Sequence, residues 1–290
     1  HHSAEWLYKN TENPIRYHSE WMMRSREQDY DYAPIIQLFK LATQRNYTEE
    51  EINRVVDNIE ITKHSAIRGY IGDWDSFTLG RGKNSFMYRR STDGKFQFMH
   101  WDSDLAFRVN NEFYNGRRDF KAWIEKPYNM RLFQHFLQDM LNKYTKDSKR
   151  LLAWLECEQD ASNQYNPDIN FYKNYFRDRE WRAQNLIGNN RTVQFSIATK
   201  NGQNFTTSSS SESLSGNASI QLFDVRIEDH PEVRTSWSGI TNWSINGIQL
   251  RAGANVLNVQ GVDSFGNVIE EKPVTITLDK DAPPITDIDS

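Results

Sequence analysis

The strongest constraint on how this 290-residue chain folds is a change of hydrophobic period near residue 190. Before that point apolar residues recur every three to four positions. After it they alternate with polar ones, and Gly, Ser, Thr, Asn and Val take over. A segment with helical period cannot bury its apolar face as a strand, so the two halves form different kinds of structure. The expected class is α+β: a mostly helical lobe, then an antiparallel β-sandwich.

In the first half, DYAPIIQLFKLATQRN predicts an amphipathic helix from about Ala33. The run Thr48-Glu49-Glu50-Glu51 is a capping box, so a helix opens at Thr48 and carries Ile52, Val55, Val56 and Ile59 at helical spacing. A further helix is expected over 61–71. In NSFMYRRSTDGKFQFMHWD, two short apolar and aromatic runs flank Thr92-Asp93-Gly94, which predicts a β-hairpin. Three helices are then expected in MRLFQHFLQDMLNKY, SKRLLAWLECEQD and DINFYKNYFRDREWRAQNLI.

In the second half, TVQFSIAT, ASIQLFDVRI, NWSINGIQL, NVLNVQGVD and PVTITLD read as strands between turn-rich segments. TTSSSSESLSG reads as a loop, and KDAPPITDIDS, with Pro283 and Pro284, as a linker. The expected domains are 1–188 and 189–280, with 281–290 as a tail. A formal net charge of −4 and no long basic run argue against a nucleic-acid partner. No apolar run approaches the roughly 20 residues that span a bilayer. With Cys157 as the single cysteine, no internal disulfide forms.

Several common chemistries have no footing. HExxH, CxxC and GxSxG are absent, and GRGKNS lacks the glycine spacing and the Ser or Thr of a phosphate loop. A carboxylate and amide group remains: Asp73, Asp75, Asn84, Asp102 and Asp104. Asp102 and Asp104 interrupt the aromatic run FQFMHWDSDLAF, where an unpaired carboxylate is costly. The hairpin brings its outer ends, Asn84 and Asp102, close together. Oxygen ligands of this kind suit Mg²⁺ or Mn²⁺ shared with phosphates. The plain alternative is that they cap turns and pair with Arg81, Arg89 and Arg90. In protein kinases phosphoryl transfer uses an Asp to orient the attacking hydroxyl, then an Asn and an Asp to hold metal, in that chain order. The order Asp75, Asn84, Asp102 supplies them.

The stretch AIRGYIGDWDSFTLGRGKNSFMYRRSTDGKFQFMHWDSDLAF resembles the core of the spore coat protein H (CotH) family of atypical kinases. The matching pieces are Asp75, NSFMYR with Asn84 and Tyr88, TDGK, and HWDSDLAF with Trp101-Asp102-Ser103-Asp104. FRDREWRAQNL resembles that family's last kinase helix. The resemblance covers roughly residues 15–188. It implies a kinase-like lobe that transfers phosphate from ATP to a protein substrate with Mg²⁺ or Mn²⁺, in a secreted or cell-surface protein. By position Asp75 matches the catalytic aspartate and Asp102 the metal-binding one. Asn84 and Asp104 support metal and phosphates, and Lys83 contacts the nucleotide, standing where the family often has His. Only the segment before Ala33 is available for a nucleotide-binding lobe.

The end of the second half, NWSINGIQLRAGANVLNVQGVDSFGNVIEEKPVTITLD, resembles the immunoglobulin-like modules of bacterial extracellular proteins. Asp263 is either a turn residue or a Ca²⁺ ligand. Trp237 and Trp243 either pack a core or present a glycan-binding surface. The alternative function is therefore non-enzymatic: a degenerate kinase-like lobe joined to an adhesive sandwich.

Overall fold

A computed structural model describes residues 6–79, 84–115, 118–161 and 168–280. The chain divides into two compact units, His1–Leu186 and Ile187–Ser290. Helices dominate the first and strands the second.

The first unit opens with a short helix α1 (Ile15–His18) and the amphipathic α2 (Ala33–Gln44), which buries Ile36, Leu38, Phe39 and Ala42. Helix α3 (Glu49–Asn53) starts at the expected capping box: Thr48 accepts from the Glu51 amide, and the Glu51 carboxylate accepts from the Thr48 amide at 2.7 Å. It is shorter than its periodicity predicts. Val55 and Val56 do not continue the helix; they bridge to Phe96 in a small parallel contact. The Phe96 amide donates to the Val55 carbonyl at 2.8 Å, and the Asp57 amide to the Phe96 carbonyl at 2.7 Å. Asp57 then caps a new helix, α4 (Asn58–Tyr70), by accepting from the Glu60 amide. Two caps in one apolar stretch, with a strand taking the backbone between them, account for the break.

The hairpin forms as expected. Strands β1 (Ser85–Arg89) and β2 (Phe96–His100) pair antiparallel, Ser85 opposite His100 and Arg89 opposite Phe96. The left-handed Gly94 (φ 73°) closes the turn. One face of β2 carries Phe96 and Phe98 inward. There Phe98, Trp6, Phe77, Phe120 and Trp123 form an aromatic core with ring centroids 4.7–6.2 Å apart.

Helix α5 (Arg118–Ile124) follows, which the hydrophobic pattern did not reveal. Next is one 35-residue helix, α6 (Pro127–Ala161), where two were expected. After Pro127 the segment contains neither Gly nor Pro, so nothing stops it. The last helix is α7 (Ile169–Ile187).

Helix α7 secures the C-terminal end of α4, which carries the candidate site. The buried Arg179 donates from Nε to the Tyr70 carbonyl (3.1 Å), from Nη2 to the Gly69 carbonyl, and from Nη1 to the Asn110 carbonyl (3.0 Å). Gly69 and Tyr70 lie in the last turn of α4, whose carbonyls lack i+4 donors from within the helix, although the Gly69 carbonyl also accepts from the Gly72 amide at 3.0 Å; a cation suits the helix dipole there too. Burial pushes the guanidinium down to about 10. Gly72 (φ 57°) lets the returning chain pass: a Cβ there would lie 2.1 Å from the Val109 carbonyl oxygen.

The second unit contains two four-stranded sheets. One has the order β3 (Ser196–Ile197), β5 (Ser211–Asn217), β8 (Asn242–Gln249), β7 (Thr235–Trp237). The other has the order β4 (Phe205–Thr207), β10 (Val268–Leu278), β9 (Gly253–Val262), β6 (Asp224–Ile227). All pairs are antiparallel except β4 with β10, which is parallel, so the second sheet is mixed rather than wholly antiparallel. The Ser-rich run expected as a loop contributes β5. Leu214 there is fully buried opposite Ile245, and Gly216 lies so close to Trp243 that a Cβ would come within 2.5 Å of its ring. Of ASIQLFDVRI only the last four residues form a strand. Trp237 and Trp243 are both buried, directly opposite each other, and belong to the core. Asp263 accepts from the Phe265 amide (2.8 Å), the Asn267 amide (2.9 Å) and the Asn267 side chain (2.9 Å), which holds the β9–β10 turn. The tail 281–290 lies outside the described residues.

Two predictions follow from how the first unit is held. Replacing Arg179 by Met removes three charge-assisted hydrogen bonds, and chemical denaturation should show a loss of about 3 kcal/mol or more. The second concerns His64 on α4, whose ring packs on Phe98 at 5.3 Å. Neither ring nitrogen has a hydrogen-bond partner among the described residues. Burial first, then the neighbouring Arg68 and His100, push this imidazole down to about 3, against about 6.5 in an unfolded chain. Between those values the unfolded state binds the extra proton, so stability falls as pH falls through the window, by about 1 kcal/mol per unit. In His64→Phe, urea midpoints measured from pH 6.5 to 4 should decline less steeply than in the parent.

Candidate functional site

Ile61, Ser65 and Arg68 are spaced i, i+4 and i+7, so one face of α4 turns all three inward. Arginine keeps its charge in a protein interior, so the surroundings must supply acceptors. Arg68, with a side chain 1% exposed, finds them in three segments. Nη2 pairs with the fully buried Asp73 carboxylate at 2.6 Å and donates to the carbonyls of Asp102 (2.9 Å) and Asn84 (3.4 Å). Nη1 donates to Ser103 Oγ (2.9 Å), the Trp101 carbonyl (3.2 Å) and His100 Nδ1 (2.8 Å). A guanidinium only donates, so His100 Nδ1 is the acceptor and its proton sits on Nε2, 3.3 Å from Ser103 Oγ. Ser103 Oγ donates in turn to Asp73 at 3.2 Å.

Burial pushes the Asp73 carboxyl above the usual carboxylate range, with Arg68 pulling the other way. Burial also pulls Arg68 below its ordinary value, opposed by Asp73 and Asp102. Both directions show desolvation outweighing attraction, as expected for a buried ion pair.

The hairpin places the sequence-predicted residues around this cation. Continuing the register beyond Ser85 and His100 sets Asn84 opposite Trp101, with Asp102 one residue further. Asn84 and Asp102 both adopt left-handed backbone, φ 56° and 51°. Asn84 Nδ2 donates to Asp75 Oδ2 at 3.3 Å, and Asp75 is buried. Asp102 Oδ1 accepts from the Asp104 amide at 3.3 Å. The carboxylates of Asp102 and Asp104 are exposed and join no salt bridge among the described residues. Lys83 and Arg81 lie outside the described residues. Arg89 and Arg90 do not pair with the site: Arg89 bonds the Gly94 carbonyl, and Arg90 bonds Asp57 and Asp93.

Past Asp104 the chain turns back under α7. The Trp74 amide donates to the Leu105 carbonyl (3.3 Å) and the Phe107 amide to the Ile71 carbonyl (2.6 Å). Phe107 is also left-handed (φ 64°), an uncommon state for an aromatic residue, and is held there by Tyr172, Tyr175 and Phe176. An open pocket of about 420 Å³ lies beside this turn, bounded by Asp104, Arg108, Phe171 and Tyr172.

Arg68 and Ser103 are site residues that the sequence reading passed over. Arg68 was detectable as a lone arginine on the buried stripe of SAIRGY, and Ser103 as the small polar residue between two aspartates.

Among the described residues no group of three or more His, Cys, Asp or Glu side chains is arranged to hold a metal alone. The oxygen donors on the segments that Arg68 joins, the Asp102 and Asp104 carboxylates and the Asn84 side-chain carbonyl, are hard ligands. They fit Mg²⁺ or Mn²⁺ completed by phosphate and water.

No described helix is long and apolar enough to cross a membrane. Comparisons with curated proteins and with solved structures find no match. A protein-family model described as CotH kinase protein matches residues 3–186, well over half of the chain and inclusive of every residue of the site. The chain belongs to the CotH kinase family.

Proposed function

We propose that the first unit transfers a phosphoryl group from ATP to a hydroxyl of a protein acceptor, with Mg²⁺ or Mn²⁺. The observation that supports this most directly is the gathering of Asp75, Asn84 and Asp102 around one buried arginine, in the chain order that protein kinases use. In this reading Asp75 orients the acceptor hydroxyl and takes its proton, with the Asn84 amide fixing the Asp75 carboxylate. Asp102 and Asn84 hold the cation at the phosphates, and Asp104 supports it. The cation neutralises charge that builds on the phosphoryl oxygens. The pocket beside Asp104 gives an acceptor segment somewhere to lie, with the Arg108 cation at its edge.

The two sheets of the second unit are read as the faces of an immunoglobulin-like β-sandwich. The inward alternation of Leu214, Trp243 and Ile245 on one, and of Val259, Val274 and Ile276 on the other, supports this. A secreted or surface-exposed protein fits the pairing of the two units; with Trp237 and Trp243 in the core, the pair offers no glycan-binding surface.

Calorimetry of ATP with Mn²⁺ tests the site. The intact protein should bind in a metal-dependent way, and Asp102→Ala should lose at least about tenfold in affinity. Asp75→Asn should keep nucleotide binding while phosphoryl transfer, followed with labelled ATP, falls about 10²- to 10⁴-fold. Unchanged transfer in Asp75→Asn, or no metal-dependent binding by the intact protein, would instead favour a non-catalytic surface role.

A further inference from the structure

We propose that Arg68 is the positioning residue of this site: its two-armed guanidinium fixes the backbone at Asn84 and Asp102, and thereby aims their side chains. The inference rests on the phosphoryl-transfer reading for its purpose, but its geometry stands without it.

Three observations carry it. The two residues offered as metal and phosphate ligands both have left-handed backbone. For a residue with a Cβ that conformation is disfavoured, less so for Asn and Asp, and persists only where neighbours impose it. Arg68 is the neighbour that touches both: one nitrogen, Nη2, donates to the Asn84 and Asp102 carbonyls. These residues lie at the two outer ends of the hairpin, 18 positions apart in the chain, and the ladder itself ends at Ser85 and His100. Beyond the last rung Arg68 bonds to both ends.

The contact set also matches a guanidinium and not a point charge. Nη1 and Nη2 serve six acceptors on Asp73, Asn84, His100, Trp101, Asp102 and Ser103. A lysine ammonium would retain the attraction to Asp73 but could not span both sides of the fork. Moreover, burial works against the attraction of the Asp73 pair at both partners. The arrangement is accounted for by what it holds in place. Asp73 balances the charge, Ser103 links Asp73 to Arg68 from within the Trp-Asp-Ser-Asp segment, and Asp102 and Asp104 are exposed, with the Asp104 amide donating to Asp102 Oδ1.

The test uses Arg68→Lys and Ser103→Ala in the full chain, with hydrogen exchange read by mass spectrometry and Mn²⁺-ATP affinity read by calorimetry. In Arg68→Lys, amides in 100–107 should exchange at least about tenfold faster while those of α6 and of the second unit keep their parental rates. Mn²⁺-ATP affinity should fall about 10- to 100-fold, as for other residues that orient a ligand without touching the metal. Ser103→Ala, which changes no charge and little volume, should move both readouts the same way by about threefold to tenfold. It decides the matter if the lysine variant does not fold. Parental exchange in 100–107 in both variants would overturn the proposal, and so would acceleration spread evenly through α6, which marks a general stabilising role. If the parent itself fails to bind Mn²⁺-ATP, the phosphoryl-transfer reading fails, and the exchange measurement alone decides whether Arg68 positions the loop.

Discussion

A guanidinium buried at the end of a helix is the constraint around which the first unit is arranged. Arg68 cannot shed its charge, so the chain must bring polar groups to it, and no single neighbouring segment carries enough of them. Asp73 comes from the turn after α4, Asn84 from the entrance to β1, and residues 100–103 from the exit of β2. Satisfying this one cation fixes where the hairpin sits relative to α4. It also requires the helix end itself to be rigid, and a second buried arginine supplies that. Arg179 holds the last carbonyls of α4 from the opposite side, and Gly69 and Gly72 allow the 109–113 segment to pass closely over them.

The parts of this arrangement that could be read in the sequence are those with a local cause. Asp93-Gly94 dictates a turn, so the hairpin and the meeting of Asn84 with Asp102 were legible. Asp102 and Asp104 stood out because carboxylates are costly in an aromatic run. What stayed hidden depends on distant partners. Val55 and Val56 fit a helical spacing, and only Phe96, forty positions away, shows why their backbone leaves the helix. Arg68 looks like any helical arginine until the stripe it shares with Ile61 and Ser65 is seen to be buried. Ser211 to Asn217 has too few apolar residues to predict a strand, yet Leu214 opposite Ile245 and the bare Gly216 against Trp243 suffice to place it in a sheet.

The same contrast separates the two roles of Asp102. Its carbonyl turns inward to Arg68, and its carboxylate turns outward without an ion-pair partner among the described residues. Asp263, by contrast, uses its carboxylate for three hydrogen bonds within its own loop. Among the described residues the Asp102 carboxylate accepts one long bond, from the Asp104 amide at 3.3 Å, while its carbonyl is held by Arg68.

The charge around Arg68 bears on the proposed chemistry. Asp73 already balances the guanidinium, and the exposed Asp102 and Asp104 add two neighbouring acidic residues. Two such carboxylates by themselves repel a bare triphosphate. In the proposed reading a divalent cation would reverse the sign of the interaction, held by the exposed carboxylates and presenting positive charge to the phosphates. The proposed chemistry is thus conditional on metal in a way that an arginine- or lysine-lined phosphate site would not be. Arg68, although cationic, has both terminal nitrogens committed to the protein, and its proposed contribution is to hold the loop that carries Asp102 in place.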